Sequence, residues 1–95
     1  MKQINELNEK LKSLDQQRKE ITDKYPKSAP HSEEDAKALE AIKNEYDTTE
    51  QNLREALKRK FDSVKGSIPY SGGDFESDMK TNMQYVVEKL NELIK

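Results

Sequence analysis

"GSIPYSGGDF", residues 66–75, contains all three glycines of this 95-residue chain, one of its three prolines and two of its six aromatic residues. Glycine and proline interrupt helices, whereas the sequence on both sides has the three- and four-residue apolar spacing of amphipathic helices. We interpret this stretch as a turn that reverses the chain, with Ile68 and Tyr70 covering the end of a helical bundle. A binding loop is the alternative interpretation.

The first predicted helix spans about residues 2–25. Pro26 disfavours helical geometry in the residue before it, and the segment "PKSAPHS", residues 26–32, is typical of a turn. Arg18 occupies the one position at which the apolar pattern is broken, and a polar residue there either sets the register of a helix pair or is solvated at the helix edge. The apolar residues of this heptad-like pattern are Ile4, Leu7, Leu11, Leu14, Ile21 and Tyr25.

The second predicted helix spans about residues 32–66. Ser32 is its expected N-cap, and Gly66 is expected to end it in a left-handed conformation. The apolar pattern shifts around the helix near Leu53, which predicts that its two halves pack on different neighbours. The apolar residues are Ala36, Leu39, Ile42, Tyr46, Leu53, Leu57, Phe61 and Val64.

The third predicted helix spans about residues 74–94, with Asp74 or Ser71 as its cap. Short connections on both sides of the second helix predict that its neighbours run antiparallel to it. We therefore expect an all-α fold in a single domain of residues 1–95. It is either an antiparallel, up-down-up three-helix bundle or a long helical hairpin with the third helix folded back.

The apolar content is small for helices of this length. Leu, Ile, Val and Phe together account for 18 of the 95 residues, and the net charge is −2. Long apolar stripes with so few apolar residues suggest that hydrophobic burial is completed by a partner, either another protein or a second copy. The residues expected to bind that partner are Ile4, Leu7, Leu11, Leu14, Met79, Met83, Val86 and Leu90.

The predicted function is therefore a non-enzymatic, helical protein-interaction module, such as a small chaperone, adaptor or inhibitor. The chain has no cysteine, and its one histidine, His31, has no neighbouring pattern of metal ligands. Its acidic residues fall mainly on the solvated faces of the predicted helices, where general acid–base catalysis is disfavoured. We expect neither an enzyme nor a cofactor or metal site.

A basic stretch in the second helix provides a different hypothesis. Residues 53–65 contain five basic and two acidic residues, whereas residues 32–52 contain seven acidic residues and two lysines. The basic stretch could bind phosphates or an anionic surface, but acid-to-base order also complements the helix macrodipole. The negative net charge makes nucleic acid an unfavoured partner. The candidate basic patch is Arg54, Lys58, Arg59 and Lys60.

The sequence contains no apolar stretch of membrane-spanning length, and its start, "MKQINELNEKLKSL", lacks the apolar region of a cleavable signal peptide. These features predict a cytoplasmic protein without a transmembrane segment. Export by a route without a cleaved signal is the alternative.

The segment "YSGGDFESDMKTNMQYVVEKL", residues 70–90, resembles the small WxG-type helical hairpins exported by type VII secretion. In that family an aromatic-x-Gly turn joins two antiparallel helices, and Tyr70 and Gly72 match its two defined positions. Tyr70 and Asp74 have the spacing of the family's aromatic-x-x-x-acidic export signal, as do Tyr46 and Glu50. The resemblance implies a small secreted or structural assembly subunit, although Tyr replaces the expected Trp and a further helix precedes the turn.

Overall fold

The structure, a computed structural model, describes residues 1–25 and 32–94. Over these residues the chain forms an all-α bundle without β-strands, which confirms the predicted fold class. Most of the predicted linker, including His31, lies outside the described residues. The four helices are α1 (Lys2–Thr22), α2 (Glu33–Val64), α3 (Gly72–Thr81) and α4 (Met83–Leu93).

Helices α1 and α2 form a long antiparallel hairpin. On its side the Nζ atom of Lys10 lies 3.2 Å from a carboxylate oxygen of Glu45. At its tip the Tyr25 hydroxyl lies 3.3 Å from the Ser32 hydroxyl and donates a hydrogen bond to the Asp35 carboxylate. Ser32 is the N-cap of α2, as predicted, because its hydroxyl accepts a 3.2 Å hydrogen bond from the Asp35 backbone amide.

The turn between α2 and α3 reverses the chain as predicted, but Gly66 does not end α2. All three glycines lie within the described residues and none has a positive φ, so the expected left-handed ending at Gly66 is wrong. The chain leaves α2 through a right-handed turn in which the Ser67 amide donates to the Val64 carbonyl (2.8 Å). Pro69 then disfavours continuation of the helix. The Ser71 hydroxyl caps α3.

The prediction of a single helix over residues 74–94 is wrong, because the helix is interrupted at Asn82. This residue has extended backbone angles, with φ −159° and ψ 96°, and its side-chain oxygen accepts hydrogen bonds from the amides of Gln84 and Tyr85. Asparagine competes with helical hydrogen bonding in this way, which makes it an effective N-cap. The apolar stripe that predicts one helix runs through the break, so its spacing gives no sign of it.

Helix α4 runs back along α3 towards the end of the hairpin where α1 begins and α2 ends. Its direction follows from Lys89, whose Nζ atom lies 4.8 Å from the centre of the Tyr70 ring, just before α3 begins. Of these two helices, α3 therefore runs antiparallel to α2, as predicted for the whole third helix, and α4 reverses that direction. Folding these helices together places Phe75 and Leu90 in one core.

The hairpin has two parts that differ in burial, and we name them by their residues. The base comprises residues 1–11 and 48–94, where α3 and α4 pack against α1 and α2. The arm comprises the described residues 12–25 and 32–47, and it extends beyond α3 and α4 along the 52 Å long axis of the molecule. The main hydrophobic core lies entirely in the base and consists of Ile4, Leu11, Leu53, Leu57, Phe61, Tyr70, Phe75, Met79, Val86, Val87 and Leu90.

Candidate functional site

The residues predicted to bind a partner lie mainly inside the chain itself. Leu7 and Met83 are half-buried and pack against the core. The other six are buried, and five of them belong to the core of the base. The five core side chains stabilise the fold of this chain, whereas Leu14 lies outside that core. The six buried residues are Ile4, Leu11, Leu14, Met79, Val86 and Leu90.

A different apolar surface is open on the arm. Ile42 and Tyr46 of α2 and Leu14 of α1 line a groove of about 270 Å³ between the two helices, which we name the arm groove. Leu14 is buried at its floor, whereas Ile42 and Tyr46 are half-buried. The charged rim of the groove consists of Asp15, Arg18 and Lys43, and Arg18 and Asp15 form a 2.9 Å ion pair.

The arm groove leads towards the turn between α3 and α4. Tyr46 lines both the arm groove and a second cleft of about 290 Å³, whose opposite wall is formed by residues 79–84. Partial burial and the nearby carboxylates of Glu50 and Asp15 raise the pKa of the Tyr46 hydroxyl, so its neutral form is favoured. A partner in the arm groove would meet an uncharged phenol at this point.

The four residues of the predicted basic patch do not line one surface. Arg54 and Lys58 line a groove of about 400 Å³ between α2 and α3, which we name the base groove. Arg59 and Lys60 line a separate groove next to the start of α1. Binding of phosphates or an anionic surface by all four residues would therefore have to involve two separate grooves. The other residues of the base groove are Phe75, Glu76, Met79 and Lys80.

Tyr70, a candidate residue of the export signal, is built into the base. Its ring is buried at the edge of the parallel Phe61 and Phe75 rings, whose centres are 4.1 Å apart. Its hydroxyl donates a hydrogen bond to the Asp78 carboxylate, and burial together with this bond raises the pKa of Tyr70 well above its ordinary value. Tyr70 thus covers the end of the bundle, as predicted from the sequence, and Asp74 and Gly72 next to it are exposed.

Polar side chains that sequence analysis overlooked connect α1 to α4. The amides of Asn5 and Asn91 donate to each other at 3.1 and 2.8 Å, and Gln84 donates to the buried Asn8 at 2.9 Å. Asn8 lies four residues after Ile4 and three before Leu11 in the apolar pattern, and this spacing is a signal that could have identified it. These bonds set the position of α4 along α1.

Residues 1–25 and 32–94 contain neither a membrane-spanning helix nor a cluster of metal ligands. None of the helices there is both long and apolar enough to cross a bilayer. In the same residues no group of three or more His, Asp or Glu side chains is arranged to hold a metal ion.

Comparison of the chain with protein-family models, curated proteins and solved structures gives no match. The resemblance to WxG-type hairpins therefore stays a prediction based on its few residues.

Proposed function

We propose that this chain is a non-enzymatic interaction protein that binds an α-helix of its partner along the arm groove. The observation that supports this function is the change in burial along one hairpin. In the base, α3 and α4 cover the apolar seam between α1 and α2. In the arm, among the described residues, Leu39 and Ile42 are half-buried and lie outside the main core, and Tyr46 is half-buried at the edge of that core.

The shape and chemistry of the arm groove suit a helical ligand. Two nearly antiparallel helices with an apolar seam can bind a third helix by ridges-into-grooves packing. In the base, α1 and α2 bind α3 and α4 in this way. Leu14 supplies the floor, Ile42 and Tyr46 the apolar sides, and Asp15 and Lys43 offer charges of both signs to flanking residues of the ligand. Such apolar contacts would supply affinity and the charged rim would orient the partner.

This proposal moves the partner-binding surface away from most of the residues predicted from the sequence. Leu14 remains part of it, at the floor of the arm groove. The stripe in the last two helices, which includes Met79 and Leu90, is assigned to the core of the base. The interaction by helix packing is retained, and its location changes.

Site-specific photo-crosslinking in the native host tests the proposal. A photoreactive amino acid replaces Ile42 in the arm groove or, as a matched control, Glu55 on the exposed side of α2 in the base. We expect a discrete crosslinked product from position 42 and little from position 55.

A second variant tests whether that product depends on the groove. Leu39→Asp places a charge on the half-exposed seam one turn from Ile42, and it should abolish the crosslink from position 42 while circular dichroism stays helical. Equal crosslinking from positions 42 and 55, or crosslinking that survives Leu39→Asp, would contradict the proposed function.

A further inference from the structure

Four exposed charged residues of α2 form one stripe whose sign reverses half-way along the helix. Glu40 and Asp47 are acidic, and Arg54 and Lys58 are basic. Their spacings of seven, seven and four residues place them on the same face of an α-helix. We name these four residues the charge stripe. Its acidic part lies on the arm and its basic part on the base.

The helix macrodipole does not account for this order. Its effect is confined to the first and last turns of a helix. The first turn of α2 already contains Glu33, Glu34 and Asp35, and its last turn contains no basic residue. The charge stripe lies between these turns, so its order requires a different explanation.

Most of the stripe has no counter-ion within the chain. Among residues 1–25 and 32–94, neither Glu40, Asp47 nor Lys58 takes part in an ion pair, whereas Arg54 contacts Glu50 at 3.3 Å on the exposed surface. Exposed charges gain little from isolated pairing, but an ordered stripe of both signs is complementary to a stripe of the reverse order.

The stripe is complementary to itself in an antiparallel arrangement. If a two-fold axis passes near residue 50, Glu40 of one copy lies opposite Lys58 of the other, and Asp47 lies opposite Arg54. At 1.5 Å of rise per residue, each pair is then offset by about 2 Å along the helices, which is within reach of the side chains. A two-fold axis makes every contact twice, so four ion pairs form.

We infer that a second copy of this chain is the occupant of the arm groove, in an antiparallel dimer aligned by the charge stripe. The inference rests on the proposed function and names its partner. In this arrangement the arm of one copy lies along the base groove of the other, where Lys80 adds a third cation beside Arg54 and Lys58. The half-buried Ile42 and Tyr46 pack against α3 of the second copy, next to Met79.

Sedimentation equilibrium of the full chain, over a range of concentrations and at low and high salt, measures the dimer. We expect a dimer whose dissociation constant rises about tenfold or more at high salt, because the aligning charges lie at the surface. A chain that stays monomeric at the highest concentration and lowest salt overturns the inference.

Charge reversal then tests the alignment. Glu40→Lys and Lys58→Glu each place like charges at two symmetry-related contacts, and each should raise the dissociation constant about tenfold or more. Glu55→Lys and Lys2→Glu make the same charge changes at exposed positions outside the stripe, and they should leave it within about twofold. Circular dichroism confirms that all four variants remain helical.

The double variant Glu40→Lys with Lys58→Glu decides between this alignment and a general charge effect. It restores opposite charges across the two-fold axis, so it should return the dissociation constant to near that of the unchanged chain. Failure of this rescue overturns the inference. If the chain is monomeric but position 42 still crosslinks to a different protein, the dimer is wrong and the proposed function is retained. If position 42 gives no crosslinked product, the proposed function itself is wrong.

Discussion

The arm and the base share the same two helices but differ in what covers them. In the base, Leu53 and Leu57 are fully buried because α3 and α4 pack over the hairpin. In the arm, Leu39 and Ile42 occupy the same apolar pattern of α2 and are half-buried. The difference shows that an apolar stripe specifies a helix face, whereas the elements packed on that face determine how much it stabilises the fold.

Truncating one leucine in each part should produce the largest difference in stability. Leu39 and Leu57 are 18 residues apart, or five turns, so they lie on the same face of α2. Leu57→Ala should lower the free energy of unfolding by about 3 kcal/mol, because it leaves a cavity in the core. Leu39→Ala should lower it by about 1 kcal/mol, because part of this side chain is already in water.

Urea unfolding followed by circular dichroism measures both values. The measurement is made at a concentration where the unchanged chain and both variants have the same oligomeric state. Equal losses would mean that the arm is as well packed as the base, and the contrast between the two parts would then be wrong.

Removing the Tyr70 hydroxyl should have an intermediate effect that is confined to the base. Tyr70→Phe keeps the ring at the edge of the stacked Phe61 and Phe75 rings but leaves the half-buried Asp78 carboxylate without its donor. We expect a loss of about 1.5 kcal/mol in unfolding free energy at neutral pH. Tyr85→Phe, which changes an exposed tyrosine, is the control.

The same variant should change the response to alkaline pH. The pKa of Tyr70 is raised in the folded state above the value of about 10 in the unfolded chain, so folding favours the protonated phenol. Its contribution to stability is full below about pH 10 and is lost as the pH rises towards the folded-state pKa. Thermal unfolding between neutral and alkaline pH should therefore show a smaller alkaline loss for Tyr70→Phe than for Tyr85→Phe.

The smallest expected effect concerns Asn82, which interrupts the helix and allows α4 to pack on the base. Asn82→Ala removes the cap of α4 and should lower the unfolding free energy by about 1 kcal/mol. Asn44→Ala, in the exposed interior of α2, should leave stability unchanged or raise it slightly, since alanine is the better helix former. Spin labels at Ser77 and Glu88 report the separation of α3 and α4. If the unfolding free energy of Asn82→Ala is unchanged, capping by Asn82 does not explain the interruption between α3 and α4.

Much of the fold follows from local features of the sequence. Ser32 and Ser71 cap helices as predicted, and the spacing of apolar residues identifies α1 and α2. Tyr70 lies at the end of the bundle, as the sequence predicts, where its ring contacts Phe61 and Phe75. These predictions succeed because capping and amphipathicity depend on a few neighbouring residues.

The candidate site was predicted less well, because burial depends on contacts between distant parts of the chain. The sequence shows that Ile4, Leu14 and Met79 are apolar and lie on helix faces. It does not show whether each face meets another helix of this chain or remains open. The stripe through Met79 and Met83 predicts one helix, whereas the Asn82 cap divides it and returns α4 to the base.

The sequence by itself determined the helical class, two of the caps, the reversing turn and the acid-to-base order of α2. These properties are encoded in residue type and spacing, which act within one or two helical turns. Only the tertiary structure decided that α3 and α4 cover the base and leave the arm groove open. That outcome depends on which apolar faces of different helices meet, over separations from 14 residues between Phe61 and Phe75 to 86 between Asn5 and Asn91. Burial of surface, and not local spacing, determines the free energy of these contacts.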